Sequence, residues 1–352
     1  MVTMGDIAER AGVSRPTVSV ILNERHSEIG IAEHTRRKVL AAAEELGYRR
    51  NELARAVKTG KSLTIGFLAG STHLEYVSRL FSGALDGAED RGYSLQRFRI
   101  GEESHNRKAV VRCVEHRLAG VIVCDPDFSL PLDFMQREFE RHSLPTLMLD
   151  FKPSLPWGIG IASDDELGIQ QAVQHLADLG HRRIAFCGAV EKHGSSASRL
   201  IGYQKAMRRC GMSEHMRILW EEGYGEQEER MRAVMSEAAR PTALVCVSDA
   251  MALLSLRLLR GWGLEVPRDV SVVGFGDLLR TNLSDPALTT VAVPYEQIGG
   301  EAVCHLLGEV CSLQREVLHA PCDVIRADND TQHYVPTRMM IRSSTAPPRA
   351  DA

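Results

Sequence analysis

Arg15, Thr17 and Ser19 lie within GDIAERAGVSRPTVSVILN, residues 5–23 of a 352-residue chain. A guanidinium and two small hydroxyls on one short segment are groups that meet base edges and phosphates in a DNA major groove about 12 Å wide. Catalysis has no comparable candidate. No Ser, His and Asp set sits in a recognisable catalytic context, and the 13 His, His175 and His181 among them, show no metal-ligand spacing. TGKS at 59–62 is the tail of a phosphate-binding loop, but Arg55 stands where that loop needs its first Gly, and the motif precedes a strand instead of opening a helix after one. GFGDLL at 274–279 starts like a dinucleotide fingerprint and lacks the third Gly. The residues point to binding without a cofactor or metal, and enzyme activity is not expected.

Positioning those three side chains takes two short helices and a tight turn. Thr3 precedes Asp6 by three positions, the arrangement of a capping box, and Ile7, Ala8 and Ala11 form a short apolar stripe. Gly12 supplies the positive φ of a turn, Ser14 caps the next helix, and Pro16 falls in its first turn, where a missing amide is harmless. Val18, Ile21 and Leu22 then face inward and Arg15, Thr17 and Ser19 outward. Taken alone, these residues also fit an ordinary helical hairpin. TRRKVLAAAEELGY, residues 35–48, adds an amphipathic third helix in which Val39, Leu40, Ala43 and Leu46 cover the first two, with Gly47 ending it. RRNELARAVKTGKS, residues 49–62, is rich in positive charge and poor in large apolar groups, a linker able to become a helix.

Charge follows the same division. Residues 1–61 hold 11 Lys+Arg against 8 Asp+Glu, while the rest of the chain holds 31 against 38. A basic end on an acidic body favours phosphate contact at that end. From Leu63 onward short apolar runs alternate with longer amphipathic segments. Strands are expected at 63–69, 93–98, 120–124, 145–150, 183–188, 242–247 and 270–275, with helices such as 76–91, 104–117, 165–179 and 249–260. This alternation implies α/β architecture with two covered parallel sheets, the chain crossing between them near 160–163 and recrossing near 276–290. Ligands of such sheets sit beyond the carboxyl ends of the strands, here between the lobes. No apolar run reaches 18 residues and no leader precedes the first helix, so a cytoplasmic location is expected. Eight cysteines lack close pairing, and Cys124, Cys187 and Cys246 lie in strand-like runs, so buried reduced thiols are expected.

The chain resembles the lactose repressor (LacI) family of bacterial transcription regulators. The resemblance runs through AGVS followed by TVS and LN, TRRKVLAAAEELGY, LARAVKTGKS, IGFLA, LADLGHRRIAFCG, SRLIGYQKAM, VPRDVSVVGFGD, DPALTTVAVP and VPTRMMIRSST, in that order. It implies a helix-turn-helix headpiece at 1–48, a hinge helix at 49–62 and a two-lobed, periplasmic-binding-protein-like core at 63–345. The N-lobe is expected at about 63–161 and 277–290, the C-lobe at about 162–276 and 291–345. The implied DNA-binding residues are Thr3, Ser14, Arg15, Pro16, Thr17, Ser19, Asn23, Tyr48, Arg55, Val57 and Lys58. For the effector, the strand-end rule and the resemblance together select Ser71, His73, Asp150, Arg199, Tyr224, Ser248 and Asp249, with Arg199 foremost because its planar fork suits a diol or an acid group.

Three departures bear on function. Val20 follows TVS where many relatives have Arg, so base readout leans on Arg15, Thr17 and Ser19. Val57 stands where a Leu wedge is common in the hinge, with less apolar area to prop apart a base step. Gly276 replaces a ligand-binding Asp, which removes an acceptor for a neutral sugar and a repulsion toward a sugar acid or phosphorylated sugar. The expected activity is repression from a near-palindromic operator by a homodimer, with a sugar or sugar acid altering operator affinity. The polar tail APPRADA favours a dimer over a tetramer. The alternative from another class is a cytoplasmic sugar-binding protein without a regulatory role.

Overall fold

The computed structural model describes residues 2–22, 30–49, 62–70, 74–124, 130–150, 157–188, 194–219, 227–308, 326–329 and 332–349. The chain divides into two compact units, Met1–Ser62 and Leu63–Ala352.

The first unit holds α1 (Met4–Ala11), α2 (Arg15–Leu22) and α3 (Glu33–Glu45). α1 opens with a reciprocal capping box. Thr3 Oγ1 accepts from the Asp6 N–H at 3.4 Å, and the Asp6 carboxylate accepts from the Thr3 N–H at 2.7 Å. That second bond holds the Asp6 carboxyl below its ordinary pKa, since it favours the ionised form. Gly12 follows at φ 65°, and the turn closes as the Val13 N–H donates to the Ala8 carbonyl at 3.0 Å. Ile7, Ala8, Ala11, Val18, Ile21, Val39, Ala42 and Ala43 form the core, with Leu22, Leu46 and Tyr48 packed against it. Leu40, expected in this core, is 40% exposed. The buried line on α3 runs Val39, Ala42, Ala43, Leu46, and one residue beyond Val39 rotates Leu40 off that stripe. Arg10 ties α1 to α3 through Glu45 at 2.6 Å.

The second unit carries two sheets. The first, seven-stranded, uses β1 (Thr64–Ala69), β2 (Ser94–Arg99), β3 (Gly120–Cys124), β4 (Thr146–Leu149), β5 (Ile159–Ser163), β11 (Arg326–Asn329) and β12 (Gln332–Val335), in the order β11-β12-β5-β4-β3-β1-β2. The second uses β6 (Ile184–Cys187), β7 (Arg217–Ile218), β8 (Ala243–Cys246), β9 (Ser271–Gly276), β10 (Thr289–Ala292) and β13 (Arg338–Met340), in the order β13-β10-β9-β8-β6-β7. Pairing is parallel except at the edges β11/β12 and β10/β13. Central strands such as GVIVC and ALVC are buried at every residue, as sheets covered on both faces require.

Eight helices among the described residues cover the sheets: α4 (Glu75–Glu89), α5 (Glu103–Glu115), α6 (Leu132–Arg141), α7 (Asp165–Asp178), α8 (Ser195–Arg209), α9 (Gln227–Met235), α10 (Asp249–Gly261) and α11 (Tyr295–Leu306). α4 and α11 meet backbone to backbone. A Cβ on Gly83 would collide with the Glu296 backbone, and one on Gly299 with that of Leu80.

The lobe boundaries differ from those read in the sequence. Residues 289–292, split between the lobes at 290, pair with β9 in the second sheet. Residues 295–306, assigned to the C-lobe, pack on α4, and 326–329 and 332–335 extend the first sheet through β12 and β5. The chain thus passes between sheets after β5, after β10 and after β12. The run TTVAV at 289–293 misleads because its β-branched residues form a core strand, and the passage falls just beyond it at Pro294. Cys113, Cys124, Cys187, Cys246 and Cys304 are buried free thiols, and burial pushes the Cys113 thiol up to about 12. No described helix is long and apolar enough to cross a membrane.

Candidate functional site

On the first unit, α2 is held from below by Val18 and Ile21 and presents Ser14, Arg15 and Pro16 exposed, with Thr17 and Ser19 half-buried. Ser14 Oγ accepts from the Thr17 N–H at 3.3 Å and lies 2.8 Å from Thr17 Oγ1. The cap and its hydroxyl partner therefore stiffen the first turn, the part of a recognition helix that reaches bases. Thr3 is spent on the capping box and Tyr48 lies half-buried against the core, so both position the helices instead of leading the exposed face. Asn23, Arg55, Val57 and Lys58 lie outside the described residues.

In the second unit the strand carboxyl ends bring Asp150, Arg199, Ser248 and Asp249 to one region, while Ser71, His73 and Tyr224 lie outside the described residues. Asp150 follows β4 at φ 56° and accepts from Ser195 Oγ at 2.6 Å, a bond between the first sheet and the start of α8. Arg199, one turn along α8, donates from Nη1 to the Val247 carbonyl at 2.8 Å and from Nη2 to Asp165 Oδ1 at 3.2 Å. Its guanidinium lies 4.0 Å over the Phe275 ring, and its buried Nε has no hydrogen-bond partner among the described residues. Asp165, whose side chain is fully buried, also accepts from Ser163 Oγ at 2.8 Å.

Ser248 and Asp249 take different parts. Ser248 caps α10, its Oγ accepting from the Met251 N–H at 3.3 Å. Asp249 is buried, with one oxygen accepting from the Leu278 N–H at 2.9 Å and the other from Thr290 Oγ1. Burial raises its pKa, and those two bonds oppose the rise. Its carboxylate thus ties the segment after β9, and β10, to α10 and is consumed internally.

Gly276 ends β9 at φ 133°, a backbone that a side chain rarely adopts. A Cβ there would stand 3.1 Å from Asp249 Oδ2 and 3.3 Å from Tyr295 Oη. A side chain at 276 would therefore press on Asp249 and Tyr295. Asp277 beside it is held by Arg342 at 2.6 Å. Tyr295, at the start of α11, packs on Tyr76 and lies under Arg79, which forks onto Glu296 at 2.6 and 2.9 Å. Asp165, Ser195, Phe275 and Tyr295 were missed in the sequence. Ser195 and Asp165 follow strand ends and were findable by the rule that chose Asp150; Tyr295 follows a passage between sheets that the sequence placed elsewhere.

These two units define a helix-turn-helix protein with a ligand-binding body. Residues 3–51 match the model for bacterial regulatory proteins of the lacI family, and residues 173–345 that for the periplasmic binding protein-like domain. The ribose operon repressor of Escherichia coli (strain K12) is 31% identical over 315 residues, 88% of this chain and 93% of that protein. The HTH-type transcriptional repressor PurR of Pectobacterium carotovorum is 28% identical over 333 residues, covering 91% and 93%. The structure of the lac repressor dimer bound to operator and the anti-inducer ONPF aligns with a TM-score of 0.73 at 26% identity, over 98% of this chain and 99% of that one. The chain belongs to the lacI family of bacterial regulatory proteins.

Proposed function

We propose that this protein is a sequence-specific transcriptional repressor that binds a near-palindromic operator as a homodimer and releases or tightens it in response to a small polyhydroxylated effector. The observation that carries the reading is α2, whose first turn is capped by Ser14 and exposes Arg15 above a core of Val18 and Ile21. Residues 1–48 act as the headpiece and 49–62 as the hinge, with Val57 wedging a minor-groove step between Arg55 and Lys58. Arg199 and Asp150 bind the effector beyond the strand ends, joined by Ser71, His73 and Tyr224, while Ser248 and Asp249 hold α10 in place. The relatives' repressor names support this role. The protein acts in the cytoplasm, where operator DNA lies.

The test is selection of genomic DNA fragments by the purified full-length protein in the presence of competitor DNA. Recovery of a shared near-palindrome is expected. Salt-sensitive retention with no shared sequence would overturn the reading and leave a basic domain on a sugar-binding body.

A further inference from the structure

We propose that Cys187 and Cys246 form an oxidation site, in which a peroxide joins the two thiols as a disulfide across β6 and β8. The proposal does not depend on the effector-responsive reading, since the bond forms or fails to form whatever the protein binds.

The two cysteines end neighbouring parallel strands, and the pairing register sets Cys187 opposite Cys246. Neighbouring strands lie about 4.7–4.9 Å apart, within the roughly 4.4–6.8 Å that the Cα atoms of a disulfide span. Residues opposite each other point to the same face, and both thiols lie 3.8 Å from one hydroxyl, Ser255 Oγ on α10. Ser255 is fully buried and donates to the Met251 carbonyl at 2.9 Å, so three polar groups meet inside an apolar cluster that includes Leu244, Ala252 and Leu259. Other described cysteines are not placed this way. Cys124 stands opposite Ala69, and Cys113 and Cys304 lie on α5 and α11.

The pair divides the chemistry between its members. A hydrogen bond from the Cys246 thiol holds Cys187 below the ordinary thiol range, while burial and that same bond push Cys246 up. Cys187 is therefore the attacking sulfur, because the thiolate is the nucleophile. Having lost its proton, it attacks one oxygen of hydrogen peroxide. An S–O bond forms, the O–O bond breaks, and the departing hydroxide takes up that proton as water. The Cys246 sulfur then attacks the Cys187 sulfenic acid. The S–S bond forms, the S–O bond breaks, and the hydroxyl leaves with the Cys246 proton as a second water. Two thiols have then lost two electrons and two protons, and one peroxide has become two waters. Both sulfurs are fully buried, so entry of peroxide requires a local opening at the strand ends, and the pair reacts more slowly than half-exposed Cys210. In a reducing compartment the bond is transient and returns to thiols by exchange.

The place of the bond gives it a consequence. The Val247 N–H donates to the Cys187 carbonyl at 2.8 Å, and the Val247 carbonyl accepts from Arg199 Nη1 at 2.8 Å. Joining the sulfurs draws on the strand ends that hold this contact, so oxidation acts on the seat of Arg199.

The experiment treats the reduced, folded, full-length protein with hydrogen peroxide, blocks remaining thiols with N-ethylmaleimide in denaturant, and maps peptides by mass spectrometry without reduction. The expected product is a peptide pair joined through Cys187 and Cys246, two hydrogens lighter than the thiols and returned to them by dithiothreitol. Cys187→Ser should abolish the joined pair and leave Cys246 open to N-ethylmaleimide. Should that variant fail to fold, the parent with and without peroxide decides the matter alone. Full alkylation of both cysteines at a peroxide dose that oxidises Cys210 overturns the proposal. So does a joined pair that appears only in the unfolded protein, or oxidation of either sulfur to sulfinic or sulfonic acid without the joined pair.

Discussion

Arg199 on α8 and Asp249 at the start of α10 show how two charged side chains in one region are used in opposite ways. Arg199 keeps a buried Nε without a hydrogen-bond partner among the described residues, whereas both oxygens of Asp249 are spent on Leu278 and Thr290. Asp249→Ala is therefore expected to destabilise the second unit by about 1–3 kcal/mol, since it strips two buried donors of their acceptor, and calorimetric unfolding without ligand measures this. Arg199→Lys should instead abolish the ligand-induced rise in unfolding temperature, because an ammonium cannot reproduce the guanidinium's bonds to Val247 and Asp165 while presenting a third donor. Retention of the full rise in Arg199→Lys would remove that residue from the site. The sequence made Asp150 legible because it stands at a strand end, and Arg199 because it lies in the motif SRLIGYQKAM. It did not show that Asp249 turns inward, since an aspartate at that place serves equally as ligand acceptor or internal tie until the partners at 278 and 290 are brought near.

At the scale of the element, the headpiece helices follow from local chemistry that sequence displays directly. The Thr3–Asp6 box, Gly12 and Ser14 are short-range devices, and each forms where its spacing says it should. Ser14→Ala is expected to cost the first unit about 1 kcal/mol, read as a lower unfolding temperature of that unit alone. The strand–helix alternation was legible for the same reason, with β1, β3, β6 and β8 each within a residue or two of the expected bounds. Less was legible after residue 276. There β10, β12 and β13 are three or four residues long and exchange sheets, so their membership depends on pairing partners far away in the chain and not on their own periodicity. In the hinge, Val57→Ala should reduce operator binding more than binding to random duplex, a difference measured by competition; equal losses would remove the wedge role.

For the whole molecule, acid sensitivity is built into buried histidine. His181 lies among Thr242, Ser271 and the Ala346 carbonyl, and burial lowers its pKa from the ordinary 6.5. The folded state thus disfavours the charged imidazole. Its contribution is full above pH 6.5 and is lost as the pH falls through the lowered folded value. Burial shifts His175, His305 and His333 the same way. The unfolding temperature of the second unit should therefore fall between pH 7.5 and 5.5, two values chosen to bracket the ordinary imidazole pKa of about 6.5, and His181→Gln should flatten part of that slope. A slope identical to the parent's would assign the fall to other groups. Function at this scale joins a DNA-reading helix to a ligand-binding body, and linkage requires that whatever the ligand does to operator affinity, the operator does equally to ligand affinity. The most direct measurement is operator affinity of Arg15→Ala, Thr17→Ala together, compared on the selected near-palindrome and on random duplex at one salt concentration. Loss of about ten- to a hundredfold on the near-palindrome, with a much smaller change on random duplex, is the predicted result; equal losses on both would show that α2 contributes charge without reading sequence.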